Sequence, residues 1–513
     1  MGVIERSKRQ LFINLIAGLM NFIVVAGINF VLTPVLTESL GDEAYGFIGL
    51  ANNFASYSSI LSVALNSMAA RFISMEFHKS NSKRANEYFS SVFIADLIMA
   101  GVLSVVAVSV VCNLEKFLHI SEHLVTDVKI TFLIVFINSI VVVISSVFGV
   151  AVFVVNRLDL GSVRQILSKV VNVVLVVIFF SCFKPRIYFI CIAVLGGTVY
   201  LTIANMKLTK QLLPDFCIRR LHFKVDAVKE IVSSGVWNSL NQLNSMLLTG
   251  LDLLIANLFL DEKSMGILSV AKTIPTALLA LLGTIGNIFT PVFTELYAKG
   301  KKKQLEDEVN FSIKVFSFLM TVPIIGFIVY GYEFYSLWLP NRPTKEILVI
   351  QILSVITLGP NIFSSYIYSL YSVNTVTNKL KVPVLVTFGV GVVSTILVLI
   401  LVSTTELGVY AVAGVSSALL IVRVLFFVPT YAAHNLELPL FTFYRTFFKA
   451  IGCAGVLFIL FAFFKKVVVI DSWWDLIACG LIFGMCGYIV NLFLILNKSE
   501  RLRLKNMILK RKK

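Results

Sequence analysis

Long apolar stretches alternate with short polar segments along the whole sequence. Each stretch is long enough for a helix to cross a hydrocarbon core of about 30 Å, whereas a membrane β-barrel shows segments of about ten residues with alternating polarity. The pattern predicts an all-α polytopic membrane protein with about 14 transmembrane helices. The predicted spans, numbered 1 to 14 in chain order, lie near residues 11–36, 44–70, 89–113, 129–155, 163–183, 187–206, 231–258, 265–293, 311–332, 346–372, 383–403, 408–430, 447–464 and 474–496.

Composition and the placement of charge lead to the same class of protein. The chain is 58% hydrophobic and only 14% charged, with a mean hydropathy of +0.90, which excludes a water-soluble domain. Its net charge of +16 comes from basic residues in alternate short loops. With the N-terminus inside, roughly 33 of the 44 Lys and Arg residues are cytoplasmic and roughly 9 are external. This asymmetry predicts that both termini face the cytoplasm and argues against nucleic acid as a partner.

The sequence carries no motif for catalysis or for a bound metal. It has no phosphate-binding Gly-x-x-x-x-Gly-Lys-Ser/Thr, no His-Glu-x-x-His and no dinucleotide-binding glycine pattern. The five histidines lack ligand spacing, and the seven cysteines form no Cys-x-x-Cys pair. We therefore expect no catalytic residue, no metal, no cofactor and no enzymatic activity. Coupling to an ion gradient and coupling to the membrane potential both stay open.

A weak internal repeat relates two parts of the chain. A shift of about 220 residues places Gly46 over Gly266 and Lys79 over Lys299, across a short acidic turn, a whole span and its basic exit. Because the shift covers an even number of spans, the copies have one orientation and are related by a pseudo-two-fold axis along the membrane normal. We predict two six-helix lobes followed by two C-terminal helices and a tail: an N-lobe at 1–210, a cytoplasmic linker at 211–230, a C-lobe at 231–446, spans 13 and 14 within 447–497, and a basic cytoplasmic tail at 498–513.

Several predicted spans carry a polar stripe on one side. The spacing of three, four or seven residues places these side chains on one helix face, and such a face cannot meet lipid cheaply. Two interpretations stay open: packing between helices, or a hydrated cavity shared by the two lobes. The stripe residues that we take as cavity candidates are Asn52, Ser56, Asn66, Asn241 and Asn287.

Ionisable residues inside spans are further candidates, because a charge at mid-membrane costs about 3 kcal/mol on insertion scales. Lys272 and Asp252 can form an ion pair, or Lys272 can meet a phosphate or an acidic sugar. Arg423 either contacts substrate or extends to the cytoplasmic interface. Arg71, at the inner end of span 2, is a candidate for the headgroup. Asp96 lies about two turns into span 3.

Aromatic side chains on the same faces are candidates for stacking on sugar rings. Tyr57 and Tyr368 are the two that we include in the substrate site, and Trp237 and Tyr371 also lie on these faces. A tyrosine ring can stack while its hydroxyl group bonds to a sugar hydroxyl. Packing in the helix bundle is the alternative for each of them.

The stretch FVLTPVLTESLGDEAYGFIGL from Phe30, and the second copy LDLLIANLFLDEKSMGILSVAKTIPTALL from Leu251, are similar to the openings of the two lobes in one transporter family. That family is the polysaccharide-transporter (oligosaccharide flippase) branch of the multidrug/oligosaccharidyl-lipid/polysaccharide (MOP) flippase superfamily. The resemblance implies a MATE-like, V-shaped cavity with cationic residues. In lipid II flippases, two extra C-terminal helices help to form a lipid groove.

The resemblance also implies a function, namely movement of a polyprenyl-pyrophosphate-linked oligosaccharide from the inner to the outer leaflet of a bacterial cytoplasmic membrane, by alternating access. The expected partners are this substrate, membrane lipids and other polysaccharide-assembly proteins. Three alternatives remain: a lipid II flippase, a MATE-type drug or cation antiporter, and, as an enzyme, a membrane-embedded glycan polymerase or ligase. An antiporter needs acidic residues deep in the first lobe, where the sequence offers Asp96.

Overall fold

The computed structural model describes residues 3–286, 289–377 and 379–509, and within these ranges the chain is helical with no strand. Twelve helices are long and apolar enough to cross a membrane. Two further pairs of helices reach that length only as bent spans, with bends of 63° and 42°, so the total is up to fourteen. The prediction of an all-α polytopic membrane protein with about 14 spans is confirmed.

Contacts between residues divide the chain into two compact units. Unit 1 comprises residues 1–270 and 402–409. Its helices are α1 (Val3–Leu40), α2 (Asp42–His78), α3 (Ser82–Cys112), α4 (Leu114–Phe117), α5 (Val125–Ser145), α6 (Val150–Val154), α7 (Leu158–Cys182), α8 (Ile187–Leu212), α9 (Val225–Ser245), α10 (Asp252–Phe259) and α11 (Glu262–Ala271). Short 3-10 helices occupy Glu122–Leu124, Ser146–Gly149 and Arg220–His222, and a π-helix occupies Met246–Gly250.

Unit 2 comprises residues 271–401 and 410–513. Its helices are α12 (Thr273–Ile285), α13 (Thr290–Ala298), α14 (Lys302–Trp338), α15 (Thr344–Tyr366), α16 (Tyr368–Val376), α17 (Lys381–Thr404), α18 (Val409–Val422), α19 (Val428–Asn435), α20 (Tyr444–Lys465), α21 (Trp473–Ile495) and α22 (Lys498–Leu509), with a π-helix at Arg423–Phe427. The units follow packing, whereas the lobes were drawn from the sequence repeat, so the lobe boundaries stay a prediction.

The internal repeat has a local structural counterpart at the ends of two spans. The chain turns at Ser80 and at Gly300, both with a left-handed backbone (φ of 59° and 65°). In both turns the backbone amide of the next residue donates to the carbonyl five residues earlier in the helix: Asn81 to Glu76 at 2.9 Å and Lys301 to Leu296 at 3.0 Å. These bonds satisfy the last helical carbonyls in the same way. The equivalent turns therefore share a geometry as well as a charge pattern.

The C-terminal helix α22 is held by charged contacts within unit 2. Lys314 of α14 pairs with Glu500 at 2.6 Å, and Arg503 pairs with Glu308. The Arg503 guanidinium also lies 4.4 Å from the centre of the Phe311 ring, a cation–π contact. These contacts dock the first part of the basic tail on α14. Residues 510–513 of the tail lie outside the described ranges.

Candidate functional site

Helices α2 and α9 of unit 1 pack backbone against backbone. A Cβ atom added to Gly235 would lie 1.8 Å from the carbonyl oxygen of Ala64, so this crossing needs a glycine. Asn238 Nδ2 donates to Ser67 Oγ at 3.0 Å beside the crossing. Small residues and short polar side chains are the usual means by which membrane helices approach closely.

Each of these two helices is irregular where the other supplies a hydrogen bond. Helix α2 bends by 63° between Ile60 and Ser62, and the Ile60 carbonyl accepts from Ser239 Oγ at 2.9 Å. Beyond α9, the π-helix ends at Gly250, whose carbonyl accepts from Asn53 Nδ2 at 3.0 Å and from the Tyr57 hydroxyl. Freed carbonyls inside a membrane need such partners. The Tyr57 hydroxyl is therefore engaged in this contact, whereas the sequence suggested a role in sugar stacking.

Serine hydroxyls account for the bend in α2. Ser58 donates to the Phe54 carbonyl at 3.0 Å, Ser59 to Ser56 at 2.7 Å, and Ser62 to Ser59 at 2.9 Å. Serine bonds of this kind to carbonyls one turn earlier compete with the helical ladder and bend helices. The serine-rich sequence SYSSILS thus places a bend in the middle of the span.

One side of α2 and of α9 carries exposed hydrophilic side chains. We call this surface the polar face, and its exposed members are Asn52, Ser56, Ser67, Arg71, Asn241 and Ser245. The Ser56 hydroxyl bonds only to its own helix, at the Asn52 carbonyl (3.0 Å). Asn52 and Ser56 are about 15 and 21 Å along the axis from the start of α2 at Asp42, at 1.5 Å per residue. Exposed amides at that depth favour water over lipid.

Asn66 belongs to a cluster inside unit 1. Its amide donates to Asp96 Oδ1 at 3.0 Å, and Ser146 Oγ donates to Asp96 Oδ2 at 2.8 Å. Asp96 is fully buried, and no basic side chain among the described residues pairs with it. Two neutral donors therefore hold this carboxyl group between α2, α3 and the 3-10 turn that follows α5. Asn66 is partly exposed, so it lies between this cluster and the surface of the unit.

In unit 2, Arg423 is held by hydroxyl groups. It donates to Thr387 Oγ1 at 2.6 Å and to the Tyr371 hydroxyl at 3.0 Å, and its guanidinium lies 5.8 Å from the centre of the Tyr371 ring. Its Nε atom is buried and has no hydrogen-bond partner. No carboxylate among the described residues pairs with Arg423, so its charge is available to an anion.

Tyr368 extends the Arg423 site toward α12. Its ring meets the Tyr371 ring edge to face, with centres 6.0 Å apart. A Cβ atom on Gly286 would lie 1.9 Å from the Tyr368 ring, so the glycine makes room for the aromatic side chain. The predicted aromatic residues Tyr368 and Tyr371 and the predicted cation Arg423 are thus brought together.

The remaining predicted residues are placed as follows. Asp252 is buried at the first turn of α10 in unit 1, and Lys272 is half-buried at the break between α11 and α12 at the start of unit 2. Their ion pair stays a prediction. Asn287 lies outside the described residues.

Sequence reasoning named Lys272 and Arg423 as intramembrane cations and missed a further one, Lys169, near the middle of α7. The lysine is half-buried, and it makes no hydrogen bond or ion pair with any described side chain. It lies one turn after Gln165, whose Oε1 accepts from Asn21 Nδ2 of α1 at 2.9 Å. The sequence could have revealed this residue, because Gln165 and Lys169 are four residues apart and therefore place an amide and an amine on one helix face.

An apolar groove of about 280 Å³ lies among α14, α20 and α21 of unit 2. Tyr330 and Phe483 stack in parallel along it, with ring centres 6.3 Å apart. Glycines widen the groove, since a Cβ atom on Gly480 or Gly484 would meet nothing within 4 Å. Its other lining residues are Val322, Pro323, Gly326, Phe327, Phe461, Cys479 and Tyr488.

Comparison of the sequence with known proteins gives one family and one long relative. The profile of the family described as "Polysaccharide biosynthesis protein" matches residues 11–297, more than half of the chain. The uncharacterized membrane protein EpsK of Bacillus subtilis (strain 168) is 28% identical over 500 residues, which cover 97% of both chains.

Solved structures of similar fold belong to the MOP superfamily. An inward-facing multidrug resistance MATE family transporter matches with a TM-score of 0.69 and 14% identity, over 83% of this chain and 98% of that one. The lipid II flippase MurJ in an inward closed conformation matches with a TM-score of 0.64 and 14% identity, over 98% of this chain and 99% of that one. The chain therefore has the MOP fold along nearly its whole length.

Proposed function

Because the chain belongs to the polysaccharide biosynthesis protein family, we propose that it is a flippase for a polyprenyl-pyrophosphate-linked oligosaccharide. It carries this substrate from the inner to the outer leaflet of the bacterial cytoplasmic membrane by alternating access. The oligosaccharide then enters a surface polysaccharide such as O-antigen, capsule or exopolysaccharide. Both termini face the cytoplasm, as the distribution of basic residues favours.

The polar face of α2 and α9 is the observation that carries this proposal. A glycan is rich in hydroxyl groups and needs hydrogen-bonding partners while it crosses the hydrocarbon region. The exposed amides of Asn52 and Asn241 and the hydroxyl of Ser56 offer such partners well inside two spanning helices. The exposed Arg71 lies at the end of the same face and meets phosphate there.

The Arg423 site of unit 2 supplies the second element of substrate recognition. A guanidinium group binds phosphate through paired N–H donors, and the Nε atom of Arg423 is a buried donor without a partner. The neighbouring Tyr371 and Tyr368 rings offer flat surfaces on which sugars stack. Lys272 is a further candidate for the phosphate or for an acidic sugar.

The apolar groove of α14, α20 and α21 fits the polyprenyl chain of the substrate. A prenyl tail is wholly apolar, and the groove is lined by aromatic and small side chains. Burial of apolar surface contributes about 25 cal/mol per Å², so such a groove holds the tail without polar contacts. The protein itself makes and breaks no covalent bond in this proposal. An ion gradient or the membrane potential supplies the energy.

Deletion of the gene tests the proposal and separates it from its alternatives. We expect loss of surface polysaccharide and accumulation of a lipid-linked oligosaccharide that only cytoplasmic-side reagents reach. Accumulated lipid II would instead identify a lipid II flippase, and drug sensitivity with normal polysaccharide would identify an antiporter. Single repeat units exposed on the outer leaflet would identify a polymerase or ligase. Each of these three results would contradict the proposal.

A further inference from the structure

Lys169 lies deep in a membrane helix with no counter-charge from the chain. It is about 17 Å along α7 from Leu158, at 1.5 Å per residue, and α7 is a spanning helix. A lysine in the hydrocarbon region is costly unless it meets an anion, a polar cavity or the interface. No described carboxylate pairs with it. Its charge is therefore uncompensated within the residues that the structure describes.

A pair of amides lies between α1 and α7, one turn before this lysine. We call this contact between the two helices the seam, and its polar members are Gln10, Asn14 and Asn21 of α1 and Asp159 and Gln165 of α7. The Asn21 amide donates to Gln165, but the Asn21 Oδ1 atom is buried and accepts no hydrogen bond. A buried acceptor without a donor costs about 1–3 kcal/mol. Helical side chains lean toward the N-terminus of their helix, so Lys169 leans toward the turn that carries Gln165. The seam thus offers one cationic donor and one unsatisfied acceptor.

The contacts nearer the N-terminal end of this seam are complete. Asn14 Oδ1 accepts from Gln10 at 3.0 Å and from the Asp159 backbone amide at 3.0 Å, while its amide donates to Asn156 Oδ1 at 3.1 Å. Gln10 also donates to Asp159 at 2.8 Å. Arg157 pairs with Asp159 at 3.0 Å. Among the described side chains of this seam, the unsatisfied groups lie at the level of Asn21 and Lys169, which distinguishes this level from ordinary helix packing.

We propose that Lys169, Asn21 and Gln165 form a site for a sugar phosphate between α1 and α7. The Lys169 ammonium donates to a phosphate oxygen, and a sugar hydroxyl donates to Asn21 Oδ1. The site rests on the proposed function, because the junction of pyrophosphate and first sugar in a lipid-linked oligosaccharide carries both groups. Lys169 is about 17 Å from Leu158 and about 20 Å from Cys182 at the other end of α7, hence near the middle of the membrane. The substrate therefore meets this site midway through its passage.

Binding to the purified full-length chain in zwitterionic nanodiscs tests the site. The probes are a short-chain prenyl diphosphate carrying one N-acetylhexosamine, the same diphosphate without sugar, and the prenyl alcohol. We expect Lys169→Gln to weaken binding of both diphosphates about tenfold or more, because a hydrogen bond to a charged group contributes that much binding free energy. Binding of the prenyl alcohol should stay unchanged. Lys169→Arg retains binding. Asn21→Leu weakens the sugar-bearing probe more than the sugar-free one.

Lys207→Gln is the matched control, because Lys207 is an exposed lysine of α8 in the same unit. Equal diphosphate binding by the wild-type protein and Lys169→Gln would overturn the site and leave the flippase proposal standing. A wild-type protein that binds neither diphosphate would overturn both. Complete displacement of the sugar-bearing probe by phosphatidic acid, with no preference for the sugar, would assign the lysine to a membrane phospholipid and overturn the sugar-phosphate site.

Discussion

Replacing Gly235 by alanine perturbs the crossing of α2 and α9 with a single methyl group. The added Cβ atom would lie 1.8 Å from the Ala64 carbonyl oxygen, whereas real Cβ contacts are essentially never under 3.0 Å. The helices must therefore separate locally by about 1.2 Å. Such a shift lengthens the 2.9 Å bond from Ser239 to Ile60 and the 3.0 Å bond from Asn238 to Ser67 beyond hydrogen-bonding distance.

The expected cost combines three effects. Overpacking a well-packed contact costs about 1–3 kcal/mol, and two hydrogen bonds between membrane helices contribute about 0.6 kcal/mol each. The higher helix propensity of alanine returns up to about 1 kcal/mol. We therefore expect Gly235→Ala to lower the free energy of unfolding by about 1–4 kcal/mol.

Denaturant unfolding of the purified protein in one detergent measures this change. Gly101→Ala is the control, because a Cβ atom there would meet nothing within 4 Å, and only the propensity gain remains. We expect Gly235→Ala to lower the free energy of unfolding, and Gly101→Ala to raise it slightly or leave it unchanged. Equal stability of Gly235→Ala and wild type would refute the close crossing and the polar face built on it.

Substitutions at four further residues give separate tests. We expect Arg71→Ala and Arg423→Gln each to reduce surface polysaccharide severalfold, because each removes a charge that is available to phosphate. The amount of protein in the membrane should not change. A normal amount of polysaccharide in a quantitative sugar assay would exclude that residue from the substrate site. Asp96→Leu should destabilise unit 1 by about 1–3 kcal/mol in denaturant unfolding, because it leaves the Asn66 amide group without its acceptor. The Ser146 hydroxyl keeps Asn66 Oδ1 as an acceptor at 2.9 Å, and Asp96→Asn should be milder. Gly484→Leu should fill the apolar groove and weaken binding of the prenyl alcohol, and unchanged binding would place the tail elsewhere.

Hydropathy predicted the spans because the bilayer imposes one length and one polarity on every crossing segment. The repeat was also visible, because Lys79 and Lys299 give the two equivalent spans the same basic exit. The residues that follow them, Ser80 and Gly300, share a left-handed backbone conformation. Arg423 was a candidate because it is a charge in an apolar span, and Tyr368 because it is an aromatic residue on a polar helix. The structure places both beside Tyr371, and their role in substrate binding stays a prediction. In these cases the physical constraint acts on single positions, so one sequence reveals it.

Constraints that involve two helices were not visible in the sequence. Tyr57 was predicted to contact sugar, but its hydroxyl bonds to a carbonyl that only the π-helix near Gly250 leaves free. Asn66 was assigned to the cavity, but it also completes the hydrogen bonds of Asp96 from a different helix. Lys169 was overlooked because the amide that bonds to its neighbour Gln165, on Asn21, belongs to a helix that is distant in sequence. Pairings between helices depend on crossing angles that hydropathy does not encode.

Water accessibility of the polar face tests the central claim most directly. Single cysteines at Asn52, Ser56 and Asn241, in a chain freed of its native cysteines, are treated in membranes with a hydrophilic maleimide. Val105→Cys is the control, because Val105 is an exposed apolar residue of the spanning helix α3. If water reaches the polar face, we expect rapid labelling at the three polar-face positions and none at residue 105. Labelling at the three positions as slow as at residue 105 would show that lipid or protein covers this face, and would contradict a hydrated route for the glycan.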